Sequence, residues 1–401
     1  MNEKVKVFEA PDQQTAWLGT DPIPAKPYYD AEYFELERKA IFTRTWLNIG
    51  HVSEIPEPGC FIKRELEFAN ASLLIVRGKD NKIRAFHNVC THRATQLVEE
   101  ASGRTSSFLC PYHMWNFGID GELKAAPDFE RFHVSKADCA LKQVAVDVCA
   151  QLIFVNLDPA PQQGLRDYLG EMAEKLESMP VAKATTFSEY VYDIDANWKI
   201  TYDNFQENYH LRYVHGNTGI ATVHEDNPHG YPVNYGFFGP HRTQQIWSNP
   251  TPLIKPIQGF VFGKGVRAAM AQGIIGGPND RTYCAVFPSL FVIGTPTQHF
   301  SHMVYPISAT KSRGVFRVYW VGEESNASES FAREYMMCAL RDVHTEDVNI
   351  IERVQKGLNS GALEHMHYQS MEGLCRHLYQ QVDARVQAYK QAHAGQAGEK
   401  A

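Results

Sequence analysis

No stretch of this sequence reaches the roughly 18 consecutive apolar residues that a membrane-spanning helix needs, and the opening MNEKVKVFEAPDQQTAW has no apolar h-region of a secretory signal. Both absences predict a cytoplasmic protein without a membrane partner. Positive charge is also in short supply: 39 Lys and Arg stand against 46 Asp and Glu, a net charge of -7. That leaves no basic field for nucleic acid or an anionic membrane surface. Cysteine is sparse, with eight in 401 residues, at positions 60, 90, 110, 139, 149, 284, 338 and 375. Only 90 and 110 stand in a ligand-like motif, so a disulfide framework is excluded and the other six are expected to be buried free thiols in a reducing compartment. There is no internal repeat. Gly263-Lys264-Gly265-Val266-Arg267-Ala268 fits G-x-G-x-x-A, but no βαβ unit surrounds it, so a pocket-edge turn is expected there and not a dinucleotide site.

What remains is an ordinary globular composition, 44% hydrophobic and 21% charged, in a chain long enough for two cores. The reading is α+β. A polar, Pro-rich segment over 1–28 should run extended over the surface, and a helix over 33–45 buries Phe34, Leu36, Ala40 and Ile41. Short strands follow at 60–66, 72–77, 83–89, 107–109 and 152–157, a small antiparallel β domain over 43–160. A larger domain over 161–390 has helices at 164–179, 197–215 and 329–355 covering an antiparallel sheet of strands at 187–195, 283–287, 290–295, 299–306 and 315–321. The N-terminal segment 1–42 should pack on the larger domain, residues 216–280 look irregular, a sign of pocket walls or lids, and 391–401 should be a disordered tail. His299 and His302 alternate faces on a strand, so both cannot reach one ion, and His365 with His367 suit a surface turn.

The small domain carries Cys90-Thr91-His92-Arg93 and, with seventeen residues between His92 and Cys110, Cys110-Pro111-Tyr112-His113. Structural zinc modules usually pair Cys with Cys and His with His. Here each loop supplies one of each. That order suits a Rieske-type [2Fe–2S] cluster, with both thiolates on one iron and both imidazoles on the other; an atypical zinc site is the alternative. In the larger domain, a helix over 197–215 would put Asp203, Glu207 and His210 at i, i+4 and i+7 on one face, opposite an apolar stripe of Trp198, Tyr202, Phe205 and Tyr209. His215 follows His210 by five residues, so the helix must loosen near Gly216 if both imidazoles are to meet one ion. Two solvated histidines at a helix end is the plainer alternative.

On these motifs the sequence resembles the large catalytic subunit of the Rieske non-haem iron oxygenases, over nearly its whole length. That family's second cluster loop usually reads C-x-x-H-G-W; here Met114 stands in place of the Gly, before Trp115. The resemblance implies a Rieske [2Fe–2S] domain on Cys90, His92, Cys110 and His113, and a mononuclear Fe(II) on His210 and His215. The third ligand should be a carboxylate far along the chain. Asp347 fits, since it falls on the stripe Met336, Leu340, Val343, Ile350, Ile351, Val354, where a carboxylate is costly unless paired or metal-bound; Asp342 and Glu346 turn toward solvent on this phase. The family's head-to-tail trimers imply that Glu207, where most members have Asp, bridges His210 to a cluster histidine of the next subunit. Asp203 joins Glu207 as a candidate catalytic carboxylate, and Phe205, Gln206 and Tyr209 as candidate substrate contacts.

With no nucleotide site of its own, the chain should draw electrons from an NAD(P)H-dependent flavin reductase, with or without a ferredoxin, and use them with O2 to hydroxylate an aromatic or other hydrophobic substrate. Glu207 also resembles members acting on quaternary ammonium compounds, so demethylation of such a compound or of a methoxy or N-methyl compound is the alternative. Tyr231, Tyr235, Phe237, Phe238, Trp247 and Phe260 could line the pocket, cage a trimethylammonium group or be plain core. An electron carrier would leave the larger domain unexplained, and a zinc-stabilised binding protein is the remaining rival.

Overall fold

The computed structural model describes residues 12–215, 223–247, 249, 255–271, 282–294, 299–322, 324 and 326–394. They cluster into two units, one over Phe42–Tyr168 and one combining the described parts of Met1–Ile41 and Leu169–Ala401. Among the described residues no helix is long and apolar enough to cross a membrane.

The first unit is built on an antiparallel sheet of seven strands. In chain order these are β1 (Leu47–His51), β2 (Cys60–Leu66), β3 (Ala71–Arg77), β4 (Ile83–His87), β5 (Ser102–Arg104), and then, after a separate small sheet of β6 (Ser107–Leu109), β7 (Asn116–Gly118) and β8 (Leu123–Ala125), β9 (Gln143–Cys149) and β10 (Leu152–Asn156). The spatial order is β1-β10-β9-β4-β3-β2-β5. Strand β3 carries an unbroken buried run from Ser72 to Val76, as expected for a strand with neighbours on both sides. The five expected strands are present, two with the expected ends and three with one end moved by one or two residues. Those missed are mostly three residues long, too short to show a period, and β9 is exposed over much of its length.

The second unit centres on another seven-stranded antiparallel sheet, formed by β11 (Thr186–Ile194), β12 (Pro232–Phe238), β13 (His241–Ile246), β14 (Thr282–Val286), β15 (Leu290–Gly294), β16 (His299–Ser308) and β17 (Lys311–Trp320), in the order β11-β17-β16-β15-β14-β13-β12. Its helices differ from expectation in instructive ways. The first, α1 (Ala31–Glu37), is capped by the Asp30 carboxylate, which accepts from Tyr33 N at 2.7 Å, and widens into a π-turn at Arg38–Phe42 in place of running to 45. Gly170, at φ +51°, splits the expected helix 164–179 into α2 (Leu165–Leu169) and α3 (Glu171–Ser178). The expected helix 197–215 is also broken, into α4 (Trp198–Asp203), a turn, and α5 (Leu211–Val214). There the Glu207 carboxylate accepts from Tyr209 N and His210 N, replacing the carbonyl acceptors a continuous helix would use.

Much of the supposedly irregular 216–280 is ordered: β12 and β13 form a hairpin and Gly263 and Lys264 lie inside a helix, α6 (Pro256–Ala271), not in a turn. Residues 216–222, 248, 250–254 and 272–280 lie outside the described residues, as do 1–11 and most of the expected tail, 395–401; residues 391–393 are helical. Helix α7 (Ala327–Asn359) lies against α4 and β11, and α8 (Gly373–His393), which the sequence did not suggest, buries Leu374, Leu378, Val382 and Val386 together with Arg376 and His377, polar residues that blur its apolar period. The described part of the N-terminal stretch, 12–28, does not run extended over the surface: Leu18, Ile23, Ala25 and Tyr28 are buried, and Ile23–Pro24 pairs with His365–Met366, so His365 belongs to a short ladder. Cys338 is exposed and Cys60 half-buried, unlike the four other spare thiols.

Candidate metal centres

Cys90 follows β4 and Cys110 follows β6, and both thiols are buried in one apolar cluster with Phe86, Phe108, Trp115 and Phe117. The two loops are near copies. In the first, Ala94 N donates to Cys90 O and Cys90 N to Thr95 O; in the second, Met114 N donates to Cys110 O and Cys110 N to Trp115 O. Closing each loop this way puts its fifth residue in the left-handed region, Ala94 at φ +62° and Met114 at φ +58°. A glycine would take that conformation freely, and Met114 takes it with its side chain directed outward, among the exposed residues. Asn88, fully buried, pins the first loop: its Oδ1 accepts from Leu97 N and Val98 N, both at 3.0 Å, and its Nδ2 donates to Val98 O at 2.8 Å.

The rings of His92 and His113 lie 4.5 Å apart, and His92 stacks on Trp115 at 4.8 Å and 8°. Both Nδ1 atoms are buried without a hydrogen-bond partner. Burial, reinforced by His113 and Arg93, holds His92 below its ordinary pKa, and burial together with adjacent Cys110 raises the Cys90 thiol. Two buried adjoining thiols and two buried, unpartnered imidazole nitrogens form a donor set that a [2Fe–2S] cluster fits.

In the other unit, His210, His215 and Asp347 bring one donor atom each within 4.8 Å of one another. Asp347 Oδ1 lies 3.1 Å from His215 Nε2 and 3.6 Å from His210 Nε2, is buried and makes no hydrogen bond. Each imidazole is held from behind by a carboxylate: Glu207 on His210 Nδ1, and Glu346 on His215 Nδ1 at 2.9 Å. Those contacts place the ring proton on Nδ1 and leave the Nε2 lone pairs directed at Asp347. Burial opposes a charge on His215, yet Asp347 and Glu346 raise its pKa above the ordinary value. The site attracts positive charge, and a 2-His-1-carboxylate set with a free carboxylate oxygen suits Fe(II).

Several expectations are revised. Asp203 does not share a face with Glu207 and His210. It is buried behind the turn, where Gln206 Nε2 donates to it at 2.9 Å and Tyr368 Oη at 3.5 Å. Burial raises its pKa to about 8 against the pull of Arg242 and Lys199. Gln206 is fully buried and accepts from Arg242 Nε at 2.5 Å, so it braces the turn. Phe205 is half-buried against His302, Phe291 and Phe316, while Tyr209 is exposed beside His229 and Tyr231, off the apolar stripe drawn for it. Tyr235 packs with Met371 and Leu374, and Phe237, partly buried, against Trp17 and His377, contacts that fit the plain-core reading of these two. Glu346 is not turned to solvent but holds His215. The fully buried Lys199–Glu37 pair, 2.6 Å long, with Trp198 Nε1 donating to Glu37 at 2.9 Å, was not anticipated either.

Residues 45–145 match the family model of the Rieske [2Fe-2S] domain, and residues 181–388 that of the ring hydroxylating alpha subunit (catalytic domain). The chain is 30% identical to the carnitine monooxygenase oxygenase subunit of Escherichia coli (strain K12) over 86% of each chain. It is 35% identical to the 2-aminobenzenesulfonate 2,3-dioxygenase subunit alpha of Alcaligenes sp over 50% of this chain and 52% of that one. In fold it is similar to a quaternary ammonium Rieske monooxygenase solved with L-carnitine, with a TM-score of 0.74, 23% identity, and coverage of 92% of this chain and 97% of the other.

Proposed function

The chain belongs to the ring-hydroxylating alpha subunits and is a Rieske terminal oxygenase, and from that premise we propose that Cys90, Cys110, His92 and His113 hold its [2Fe–2S] cluster while His210, His215 and Asp347 hold its mononuclear iron. The observation that carries this reading is the set of orphaned buried donors: Nδ1 of His92 and His113 in one unit and Oδ1 of Asp347 in the other. When bound, the cluster supplies single electrons and the iron supplies a site for oxygen activation. The residues around them set the geometry. Glu207 and Glu346 fix the tautomer and aim of His210 and His215, and Asp347, on the buried face of α7, closes the third ligand position on the helix opposite the turn.

A Rieske oxygenase draws its electrons from a separate reductase. For this chain we assign that role to an NAD(P)H-dependent flavin protein, acting directly or through a ferredoxin, and place the chain in a homotrimer in which Glu207 meets a cluster histidine of the neighbouring copy. The substrate is an aromatic or otherwise hydrophobic compound, seated against the ring cluster of Phe205, Tyr190, Tyr192 and Phe316 beside Asp347. A second reading, oxidative demethylation of a quaternary ammonium compound, is favoured by Glu207 and by the likeness to carnitine monooxygenase over 86% of each chain. The test is a panel of arenes, hydroxyarenes, methoxyarenes and betaines with a surrogate reductase, scored by substrate-dependent O2 uptake and product analysis. Uptake coupled to product that disappears in Asp347→Ala supports the oxygenase reading; product formation by Asp347→Ala overturns the ligand assignment.

A further inference from the structure

Two histidines outside the ligand sets lie within the aromatic cluster of the iron unit. His302 on β16 stacks on Phe316 of β17 at 4.0 Å and 8°, and Tyr190 and Tyr192 of β11 lie within 26° of parallel to Phe316. His344 of α7 sits 4.1 Å from Tyr192 and 4.9 Å from Phe316, one turn before Asp347 on the same buried stripe. His302 Nε2 is 2.7 Å from Tyr192 Oη, but His302 Nδ1 and both nitrogens of His344 are buried without any hydrogen-bond partner. Burial depresses His344 to about 4, with Asp347 pulling the other way, and burial with His344 drives His302 well below its ordinary value. Both rings are therefore neutral at physiological pH.

A buried polar group left unsatisfied costs about 1–3 kcal/mol. Phe or Leu would fill either position without that penalty, so the three unpaired nitrogens need a partner that the protein itself does not supply. The half-buried rings of Phe205 and Tyr190 form the more open edge of the cluster. A neutral imidazole offers one N–H and one lone pair. A hydroxyl or amino group satisfies both, whereas a quaternary ammonium group, with no N–H and no lone pair, satisfies neither. The near-parallel rings favour a flat body.

We infer that His344 and His302 form the specificity subsite of this oxygenase and that its substrate is an aromatic ring carrying a hydroxyl or amino group. The inference rests on the oxygenase reading of the iron site and narrows its substrate class.

The experiment is equilibrium dialysis of the metal-replete protein, without reductant, against phenol and 2-naphthol and against their methyl counterparts toluene and 2-methylnaphthalene, with L-carnitine as competitor. The wild type should bind a hydroxyarene roughly tenfold or more tighter than its methyl counterpart, and L-carnitine should not displace it. In His344→Leu the ratio should fall to near one, with metal content kept and a melting temperature equal or higher. If His344→Leu does not fold, His302→Phe gives the same readout. Equal affinity for both members of each pair in the wild type, a ratio unchanged in the variants, no saturable hydroxyarene binding, or displacement by L-carnitine overturns the inference. Iron, sulfide and the cluster EPR signal, measured on the same samples, test the oxygenase reading separately.

Discussion

Asp203→Asn should change how stability depends on pH. The carboxyl is buried and surrounded by Gln206, Tyr368, Arg242, Lys199 and Cys375, and burial raises its pKa to about 8; in the unfolded chain an aspartate titrates near about 3.9. The folded state thus holds a proton that the unfolded state releases. The associated stability is fully present below about pH 4 and is lost as pH rises through about 8. At pH 6, about two units below the folded value, about 2.7 kcal/mol of it remains, and by pH 9 almost none does. Asn keeps the acceptor that Gln206 uses and does not ionise. Urea unfolding followed by tryptophan fluorescence at pH 6 and pH 9 should show the wild type losing roughly 2–3 kcal/mol more than Asp203→Asn between the two conditions. Parallel behaviour of the two proteins would refute a buried, protonated Asp203 and reopen its place among the ionised catalytic carboxylates.

Other substitutions probe the elements that hold the two centres. Lys199→Met leaves Glu37 buried without its cation and should destabilise the iron unit by roughly 3–5 kcal/mol in urea melts, a loss that adding Glu37→Gln largely reverses. Asn88→Ala strips three buried backbone groups of their partner and should cost roughly 2–4 kcal/mol, seen as faster bleaching of the cluster chromophore on mild heating. Glu207→Gln should keep both metals and near-normal reduction of the cluster by the reductase, while reoxidation by O2 with substrate slows by at least roughly tenfold; reoxidation at the wild-type rate in single-turnover kinetics would remove Glu207 from the electron route.

How much of this was legible in the sequence depended on how locally each feature is encoded. Cys90, His92, Cys110 and His113 stand out because each loop is complete within five residues, though nothing in Ala94 or Met114 announces a left-handed backbone. His210 and His215 were legible as residues but not as geometry, since the helix expected to carry them is broken by the carboxylate of Glu207. Asp347 was found as a polar interruption of an apolar stripe, yet the stripe was drawn off phase. Ile350 and Val354 are exposed, while His344 and Gln355 are buried beside it. The support from Glu346 to His215 spans 131 positions, and the His302–Tyr192 bond 110. Contacts of that range leave no periodic trace, which is why the groups that brace the iron site and those proposed to select its substrate emerged only from the fold.

The central claim, two metal centres in one chain, is tested most directly by quantifying iron, acid-labile sulfide and zinc in the purified wild type and in Asp347→Ala, with EPR of the reduced samples. The account predicts a Rieske-type signal in both proteins, iron in excess of sulfide in the wild type, and iron falling to match sulfide in Asp347→Ala. Stoichiometric zinc without sulfide, or an iron-to-sulfide ratio unchanged by Asp347→Ala, would contradict it.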